Sequence, residues 1–303
     1  MSGVMKFFIF FMFLLLLYIS IALRIAVMHP IHVIVYGIYD GFRYIWFKRW
    51  RECKTGKLIA YTALFGKGKT LSAVHYVSSK FRKYDGKLIY DFDRKKWVTQ
   101  KIYVLSNVDL IGVPYDKLES LSQVFKVAQI QKLRDYANDT LTCTFVLGDE
   151  FSVQMNSRSF KDNINALFLN TLLTCRHHHI SLVYTAQRFN QVDALLRQVT
   201  SFVVECDKVW RFMQHKYYDA YALENATEPA LVKSYKNTGF FINNRDYKAY
   251  DTLACVDNLQ KRFDEKDVLS EEEILALQSN NGANMDAVLT PSRKYRRIRK
   301  KMK

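Results

Sequence analysis

Short β-rich runs alternate with helical stretches along the chain after residue 57. The runs "TFVLGD" and "ISLVYTA" are continuously apolar, which is typical of strands covered on both faces of a parallel sheet. This alternation predicts an α/β domain with a mainly parallel sheet covered by helices. The predicted strands lie at 57–62, 101–110, 141–150 and 180–187, and the predicted helices lie at 70–82, near 116–136 and near 161–176.

The start of the chain has a different pattern. Residues 7–27 read "FFIFFMFLLLLYISIALRIAV" and carry one charge, on Arg24. Roughly 20 apolar residues in a helix span the hydrocarbon core of a bilayer. The alternative is a cleaved signal peptide, whose apolar region is normally shorter and ends in small residues. We predict a retained transmembrane helix over about 6–27.

A second apolar and aromatic segment, about 31–47, contains Asp40 and Arg43, which would be costly at the centre of a bilayer. We interpret it as an interfacial helix, with a second membrane span as the alternative. Only Lys6 precedes the apolar region, whereas several basic residues follow it, and this bias predicts that the rest of the chain is cytoplasmic. Those residues are Lys48, Arg49, Arg51, Lys54 and Lys57.

Composition adds limits on the class of protein. The chain has 303 residues, of which 49% are hydrophobic, enough for a sizeable core. Its five cysteines are scattered and include no C-x-x-C pair, so neither a disulfide framework nor a cysteine zinc site is indicated. We predict a membrane anchor at 1–50, a folded domain at 51–260, and a helix, linker and basic tail at 261–303.

The formal net charge of +16 indicates phosphate-rich partners, either nucleic acid or an anionic membrane face. Part of this charge is in the last eleven residues, of which eight are basic. A short helix with the capping box Ser270 to Glu273 precedes this tail. The tail suits anionic lipid and DNA phosphates equally, so the sequence leaves both open.

One glycine-rich turn lies between a predicted strand and a predicted helix. The segment "ALFGKGKT" matches the phosphate-binding loop pattern G-x-x-x-x-G-K-[ST], except that Ala63 occupies the first position. In such a P-loop the backbone N–H groups surround the phosphates, the lysine neutralises them and the hydroxyl residue ligates Mg²⁺. We therefore predict that ATP and Mg²⁺ bind here, through Ala63, Gly66, Lys67, Gly68, Lys69, Thr70 and Leu71.

Polar side chains follow two later strands. Asp149 and Glu150 end the run "TCTFVLGDE", where a P-loop protein needs carboxylates, so we assign Asp149 to Mg²⁺ together with Thr70, and Glu150 to the attacking water. Gln187 ends the next strand and suits a contact to the γ-phosphate or that water. Before this strand, "CRHHH" suggests a metal site, but consecutive side chains diverge. Arg176 is the better candidate, as a cation that reaches a phosphate either in its own subunit or in a neighbouring one.

These motifs resemble the zonula occludens toxin-like (Zot) morphogenesis ATPases of filamentous phages, within the FtsK/HerA-type translocases. The resemblance covers roughly residues 57 to 255, and its particular segments are "GKGKT", "IYVLSNVDL", "VLGDEF", "CRHHHISLVYTAQ" and "NRDYKAYDT". It implies ATP hydrolysis by a homo-oligomeric ring at the inner membrane that drives export of single-stranded phage DNA with other phage assembly proteins. It also implies that Arg176 or Arg197 reaches the ATP of a neighbouring subunit.

Two features differ from that family pattern. Ala63 replaces the usual first glycine, and the predicted membrane helix precedes the ATPase domain rather than following it. These differences leave two alternatives. One is a DNA-packaging or conjugative translocase, and the other is a membrane scaffold that binds nucleotide without hydrolysing it.

Overall fold

A computed structural model of the chain describes residues 5, 7, 8, 11–13, 20–118, 121–150 and 174–250. The chain divides into two compact units: residues up to Glu52 together with Ile89–Lys96, and Cys53–Leu88 together with the chain from Trp97 onward. Much of the predicted membrane helix, most of the predicted helix near 161–176, the capping box at Ser270 and the basic tail lie outside the described residues.

The first unit contains helices α1 (Ile21–Met28) and α2 (Pro30–Trp46) and a 3-10 turn at Arg49–Arg51. α2 coincides with the predicted second apolar helix. Its C-terminal end packs on the strand β2 (Leu88–Asp91), with Phe47 4.4 Å from Tyr90 and 5.1 Å from Phe92 between ring centroids. Among the described residues no single helix is long and apolar enough to cross a membrane, whereas α1 and α2, bent by 101°, meet that test as a pair.

The second unit is built on one large sheet. Its strands are β1 (Leu58–Thr62), β3 (Lys96–Ser106), β4 (Asp116–Lys117), β5 (Thr140–Gly148), β6 (Ile180–Ala186), β7 (Phe202–Val209), β8 (Phe212–Asp219) and β9 (Lys236–Phe241). They run in the order β3-β5-β6-β1-β7-β8-β9, and β4 pairs with β3. Strands β3 to β7 in this order are parallel, whereas β8 and β9 are antiparallel additions. The predicted mainly parallel α/β sheet is therefore confirmed.

Helices cover both faces of this sheet, because alternate side chains of each central strand point to opposite sides. On one face Leu58 and Ala60 pack with α4 (Leu121–Asn138), α5 (Ala194–Val199) and α6 (Ala220–Asn225). On the other face Ile59 and Tyr61 pack with α3 (Lys69–Tyr84). A last short helix, α7 (Asn244–Tyr247), begins at a capping box formed by Asn243 and Asp246. Two further 3-10 turns lie at Phe189–Gln191 and Pro229–Leu231.

The parallel register places the ends of several strands at one edge. Thr62 of β1 pairs with Ala186 of β6, and Gly148 of β5 pairs with Tyr184. Because parallel strands end at the same edge of a sheet, the loops that follow β1, β5 and β6 lie together. This carboxyl edge is where the sequence places the candidate chemistry.

Candidate functional site

The loop after β1 has the backbone of an anion-binding turn. Gly66 and Gly68 have φ values of 74° and 82°, and Gly68 is the N-cap of α3, which begins at Lys69. A Cβ on Gly68 would lie 2.4 Å from Cε of Met213, at the flexible end of that side chain, so it is the positive φ that favours glycine at this position. Because helix N-termini present free N–H groups, the loop and α3 together form a site suited to phosphate.

Ala63 does not disrupt the loop. It is buried, it has no positive φ, and its amide donates a hydrogen bond of 3.4 Å to the carbonyl of Ala186. The residue thus continues the pairing of β1 with β6, in a conformation that an L-amino acid adopts without strain. The glycine of the usual pattern is not required here.

Asp149 lies at the end of β5 against the start of α3. Its Oδ1 accepts hydrogen bonds from the hydroxyls of Thr70, at 2.8 Å, and Thr185, at 2.6 Å. The side chain of Asn107 makes two hydrogen bonds to the backbone of Asp149. Its Oδ1 accepts from the Asp149 amide at 2.7 Å, and its Nδ2 donates to the Asp149 carbonyl at 3.0 Å. A hydroxyl and a carboxylate in contact at a helix N-terminus supply the oxygen ligands that Mg²⁺ prefers.

Lys69 and Glu150 face each other beside this pair. The lysine Nζ lies 3.7 Å from Glu150 Oε1, and the two side chains are 10% and 25% exposed. Glu150 has a φ of 49°, and its amide donates to the Thr185 hydroxyl at 2.9 Å. A left-handed backbone at a residue other than glycine is uncommon, and here it turns the chain directly after the strand so that the carboxylate faces the lysine.

The remaining predicted residues of the P-loop and of β6 also lie at this edge. Gln187 directly follows β6 and is half-buried. Lys67 turns away from the loop to form an ion pair of 2.7 Å with Asp207 of β7, and this hydrogen bond lowers the pKa of Asp207. Leu71 points into the core under the loop, so its contribution to a nucleotide site is through its backbone.

Arg176 is far from the P-loop of its own chain. It lies in the turn before β6, next to Gly56, which precedes β1. β6 has seven residues, so its two ends are about 20 Å apart. The prediction that Arg176 contacts a phosphate in its own subunit is therefore wrong, and only the contact to a neighbouring subunit stays a prediction.

Arg197 is engaged within its own domain. Its guanidinium donates to both oxygens of Glu224, at 2.5 and 3.0 Å, and to the carbonyls of Asn190 and Val192. These bonds hold α5 against α6 and against the loop that precedes α5. The arrangement does not favour the predicted role in a neighbour's site, because an arginine that reaches another subunit would first have to break these bonds.

His177, His178 and His179 belong to no candidate metal site among the described residues. Within the described part of the chain, no group of three His, Cys, Asp or Glu residues lies close enough to hold a metal ion. The four cysteines that the structure describes are buried.

Two residues of the site were not predicted individually. Asn107 directly follows β3, and Thr185 is the last residue but one of β6, so each is a polar residue at the carboxyl end of a parallel strand. This position at a strand end is the only feature of the sequence that could have indicated them, but many polar residues that have no part in a site also lie at strand ends. Only the contacts with Asp149 and Glu150 show what these two residues do.

No protein-family profile and no curated protein matches this chain in sequence. Among solved structures, it is similar to the N-terminal domain of zonular occludens toxin from Neisseria meningitidis, with 15% identity, a TM-score of 0.40, and coverage of 65% of this chain and 100% of that one. It is also similar to the genome packaging NTPase B204 from Sulfolobus turreted icosahedral virus 2 in complex with ATP-gammaS. That similarity has 10% identity, a TM-score of 0.38, and coverage of 62% of this chain and 98% of that one. A third similar structure is EssC (ATPases 2 and 3) from Geobacillus thermodenitrificans, with 12% identity, a TM-score of 0.36, and coverage of 69% of this chain and 43% of that one.

Proposed function

We propose that this chain is an Mg²⁺-dependent ATPase that acts as a motor at a membrane. The observation that carries the proposal is the juxtaposition of the start of α3 with the end of β5. Lys69 faces Glu150, and Thr70 is hydrogen bonded to Asp149. The two members of each pair are far apart in sequence, and Thr70 and Asp149 are 79 positions apart. Cation, hydroxyl and two carboxylates at a phosphate-binding loop are the groups that phosphoryl transfer requires.

The loop and the helix start bind the triphosphate. N–H groups between Gly66 and Thr70 point to the phosphate oxygens, and the N-terminal end of α3 favours their negative charge. Lys69 is nearly buried, so its charge is little screened by water. Its neutralisation of the phosphates should therefore account for a large part of the binding.

Thr70 and Asp149 would hold the metal. Their oxygens are in contact, at 2.8 Å, and Thr185 fixes the carboxylate from its other side. When bound, Mg²⁺ neutralises developing negative charge on the phosphate oxygens. The residues of the chain fit this ion because every group in the cluster presents oxygen.

Glu150 is placed to activate the attacking water. Without a phosphate its carboxylate faces Lys69, and a phosphate that binds Lys69 competes for this cation. Glu150 is then released toward the solvent-exposed side of the site, where it accepts a proton from water as a general base. Gln187, at the end of β6, orients the water or the γ-phosphate without adding charge.

The test is phosphate release by the full chain, purified as an oligomer in detergent, with and without Mg²⁺. Lys69→Ala should abolish nucleotide binding, and Glu150→Gln should abolish hydrolysis while binding is retained. Lys83→Ala is the matched control, because Lys83 is an exposed lysine of the same helix. Turnover that is equal in all four proteins contradicts the proposal. Nucleotide binding without turnover in the unaltered oligomer favours the non-hydrolysing scaffold.

For the biological role we propose assembly and export of a filamentous phage at the cytoplasmic membrane, coupled to single-stranded DNA. Support comes from the family-like motifs of the sequence, the apolar start of the chain and the net charge of +16. A DNA-packaging or conjugative translocase is the alternative that uses the same site. Both require the ATPase to respond to DNA.

That requirement is measured as the ATPase rate with single-stranded DNA, double-stranded DNA or anionic lipid vesicles. The full chain is compared with a chain that ends at Thr290 and so lacks the basic tail. Stimulation by DNA that survives removal of the tail supports a DNA motor, and preference for one form of DNA separates the two alternatives. Stimulation by lipid alone contradicts both.

A further inference from the structure

Three aromatic side chains form an exposed cluster at the hairpin that joins β7 and β8. Trp210, Phe212 and Phe241 are 68%, 52% and 46% exposed, and their ring centroids lie 5.6 to 6.0 Å apart. We call these three residues the aromatic tip. Large aromatic rings gain free energy from burial, so a grouped set in water indicates a contact surface.

The strand register explains why the tip faces one side. Phe212 pairs with Phe241 on the neighbouring strand, so their side chains share a face of the sheet. Met213, the next residue, points to the opposite face and reaches Gly68 of the P-loop. Asp207 alternates with Lys208 and lies two residues before Val209, which pairs with Phe212, so the side chain of Asp207 lies on the side that carries the aromatic rings. The phosphate loop therefore contacts both sides of the hairpin, through Gly68 on the Met213 side and through Lys67 on the Asp207 side.

The hairpin projects past the end of β1. β7 pairs with β1 as far as Thr62 and Glu205, and then continues to Val209. Four more residues in a strand extend about 13 Å. The ion pair of Lys67 with Asp207 ties the phosphate loop to this projecting part. The aromatic tip therefore lies next to the part of the hairpin that the phosphate loop contacts.

The direction of a bound nucleotide follows from the rest of the site. Glu150 and Asp149, after β5, mark the end at which the terminal phosphate and its metal lie. The strand order β5-β6-β1-β7 places the hairpin on the other side of the P-loop, three strand spacings or about 14 Å from β5. A nucleotide with its terminal phosphate near β5 extends its nucleoside toward β7.

We propose that the aromatic tip stacks against the adenine base of the nucleotide bound by the P-loop. This inference rests on the proposed nucleotide binding and adds the residues that hold the base. Trp210 has a φ of 55°, an uncommon conformation for a bulky residue, which projects its ring from the turn. Aromatic stacking accepts any base, so we also expect GTP to bind with an affinity close to that of ATP.

The test compares ATP with inorganic tripolyphosphate, which has no base, as ligands of the full chain in detergent. Trp210→Ala and Phe212→Ala should each weaken ATP binding about tenfold and leave tripolyphosphate binding unchanged. Trp210→Phe should retain most of the ATP affinity, because it keeps a ring. Tyr221→Ala removes another exposed aromatic, 77% exposed on α6, and serves as the control that should bind both ligands normally.

Three results would overturn the inference. One is ATP affinity unchanged in both alanine variants. The second is equal weakening of ATP and tripolyphosphate, since the tip would then act through the phosphate loop. The third is loss of self-association, or of binding to a labelled single-stranded oligonucleotide, with normal ATP affinity. Lys69→Ala separates this inference from the proposed function: it should weaken both ligands even if the aromatic tip has no part in binding.

Discussion

At the scale of single residues, Asp149 is held from three directions. Its Oδ1 accepts from two threonine hydroxyls, and its backbone amide and carbonyl are both bonded to the side chain of Asn107. The carboxylate is 8% exposed, so these contacts fix its orientation before any ligand binds. Preorganised oxygen ligands at a metal site need little rearrangement when the ion arrives.

Thr185 is the residue of this group whose replacement is most informative. Its hydroxyl donates to Asp149 and accepts from the Glu150 amide, so Thr185→Val removes one of the two hydroxyl donors to Asp149 and the side-chain acceptor of the Glu150 amide at nearly constant volume. We expect a loss of about 1–3 kcal/mol in the free energy of unfolding and a large loss of ATPase activity. Chemical denaturation and phosphate release measure the two effects.

Thr185→Ser is the matched control because it keeps the hydroxyl and removes only the methyl group. It should retain most of the activity that Thr185→Val loses. Equal activity in the serine and valine variants would show that the hydroxyl does not position the carboxylates.

At the scale of elements, α3 is bound to the antiparallel part of the sheet by two histidines. His215 of β8 contacts the Ser72 hydroxyl at 2.9 Å, and His75 of α3 contacts Asp246 of α7 at 2.9 Å. His75 also stacks on Phe240 of β9, with 3.8 Å between ring centroids. The helix that carries Lys69 and Thr70 is therefore coupled to β8, β9 and α7.

His215 makes this coupling sensitive to pH. Burial, with a contribution from the nearby charge of His75, lowers the pKa of His215 to about 4 from 6.5. Below about pH 6.5 the unfolded chain takes up a proton at this histidine that the folded chain does not, so the stabilisation is complete above that pH and falls as the pH drops toward 4. We expect a loss of about 2 kcal/mol between pH 7 and pH 5.

His215→Gln should have a flatter dependence of unfolding free energy on pH over the same interval, and urea denaturation at several pH values measures it. The difference between the two curves isolates His215 from the other titrating groups. Parallel curves would contradict the low pKa.

Arg197 of α5 joins this helix to α6 through its contact with Glu224. Arg197→Ala leaves the partly buried carboxylate of Glu224 and two carbonyls without their donor, so we expect a loss of about 2 kcal/mol in unfolding free energy. Arg176→Ala is the control, since Arg176 is exposed and its replacement should change stability by less than about 0.5 kcal/mol. Normal stability of Arg197→Ala with lost ATPase activity would point instead to action on a neighbouring subunit.

At the scale of the whole molecule, the distribution of charge and apolar residues along the chain predicts its topology. Basic residues are concentrated after the apolar start, and the candidate site lies in the second unit. From this bias in basic residues we predict that the second unit, with its proposed ATP site, lies on the cytoplasmic side of a membrane.

Protease added to intact cells that make the full chain should therefore leave residues 51–303 uncut, whereas protease added to inverted membrane vesicles should digest them. Immunoblotting against the P-loop domain measures both. Digestion of this domain in intact cells would contradict the positive-inside argument.

Features that depend on neighbouring residues in the chain could be predicted from the sequence. The glycines, lysine and threonine of the P-loop are consecutive, and the continuous apolar runs of β5 and β6 are complete within seven to nine residues. Such local patterns fix backbone conformation and burial, so the order of strand, loop and helix and the place of Asp149 and Glu150 were predictable. The antiparallel strands β8 and β9 were missed because their mixed polar and aromatic residues lack such a run.

Contacts between residues that are distant in the chain follow from the pairing of the strands. Asn107 and Thr185 are 42 and 36 residues from Asp149 and become its neighbours only because β3, β5 and β6 pair in one register. The same register separates Arg176 from the P-loop, although both flank strands of the same sheet. The aromatic tip arises from the pairing of β8 with β9. Periodicity along the chain records which side of a strand is buried, but it does not record which strand lies beside it or in what alignment.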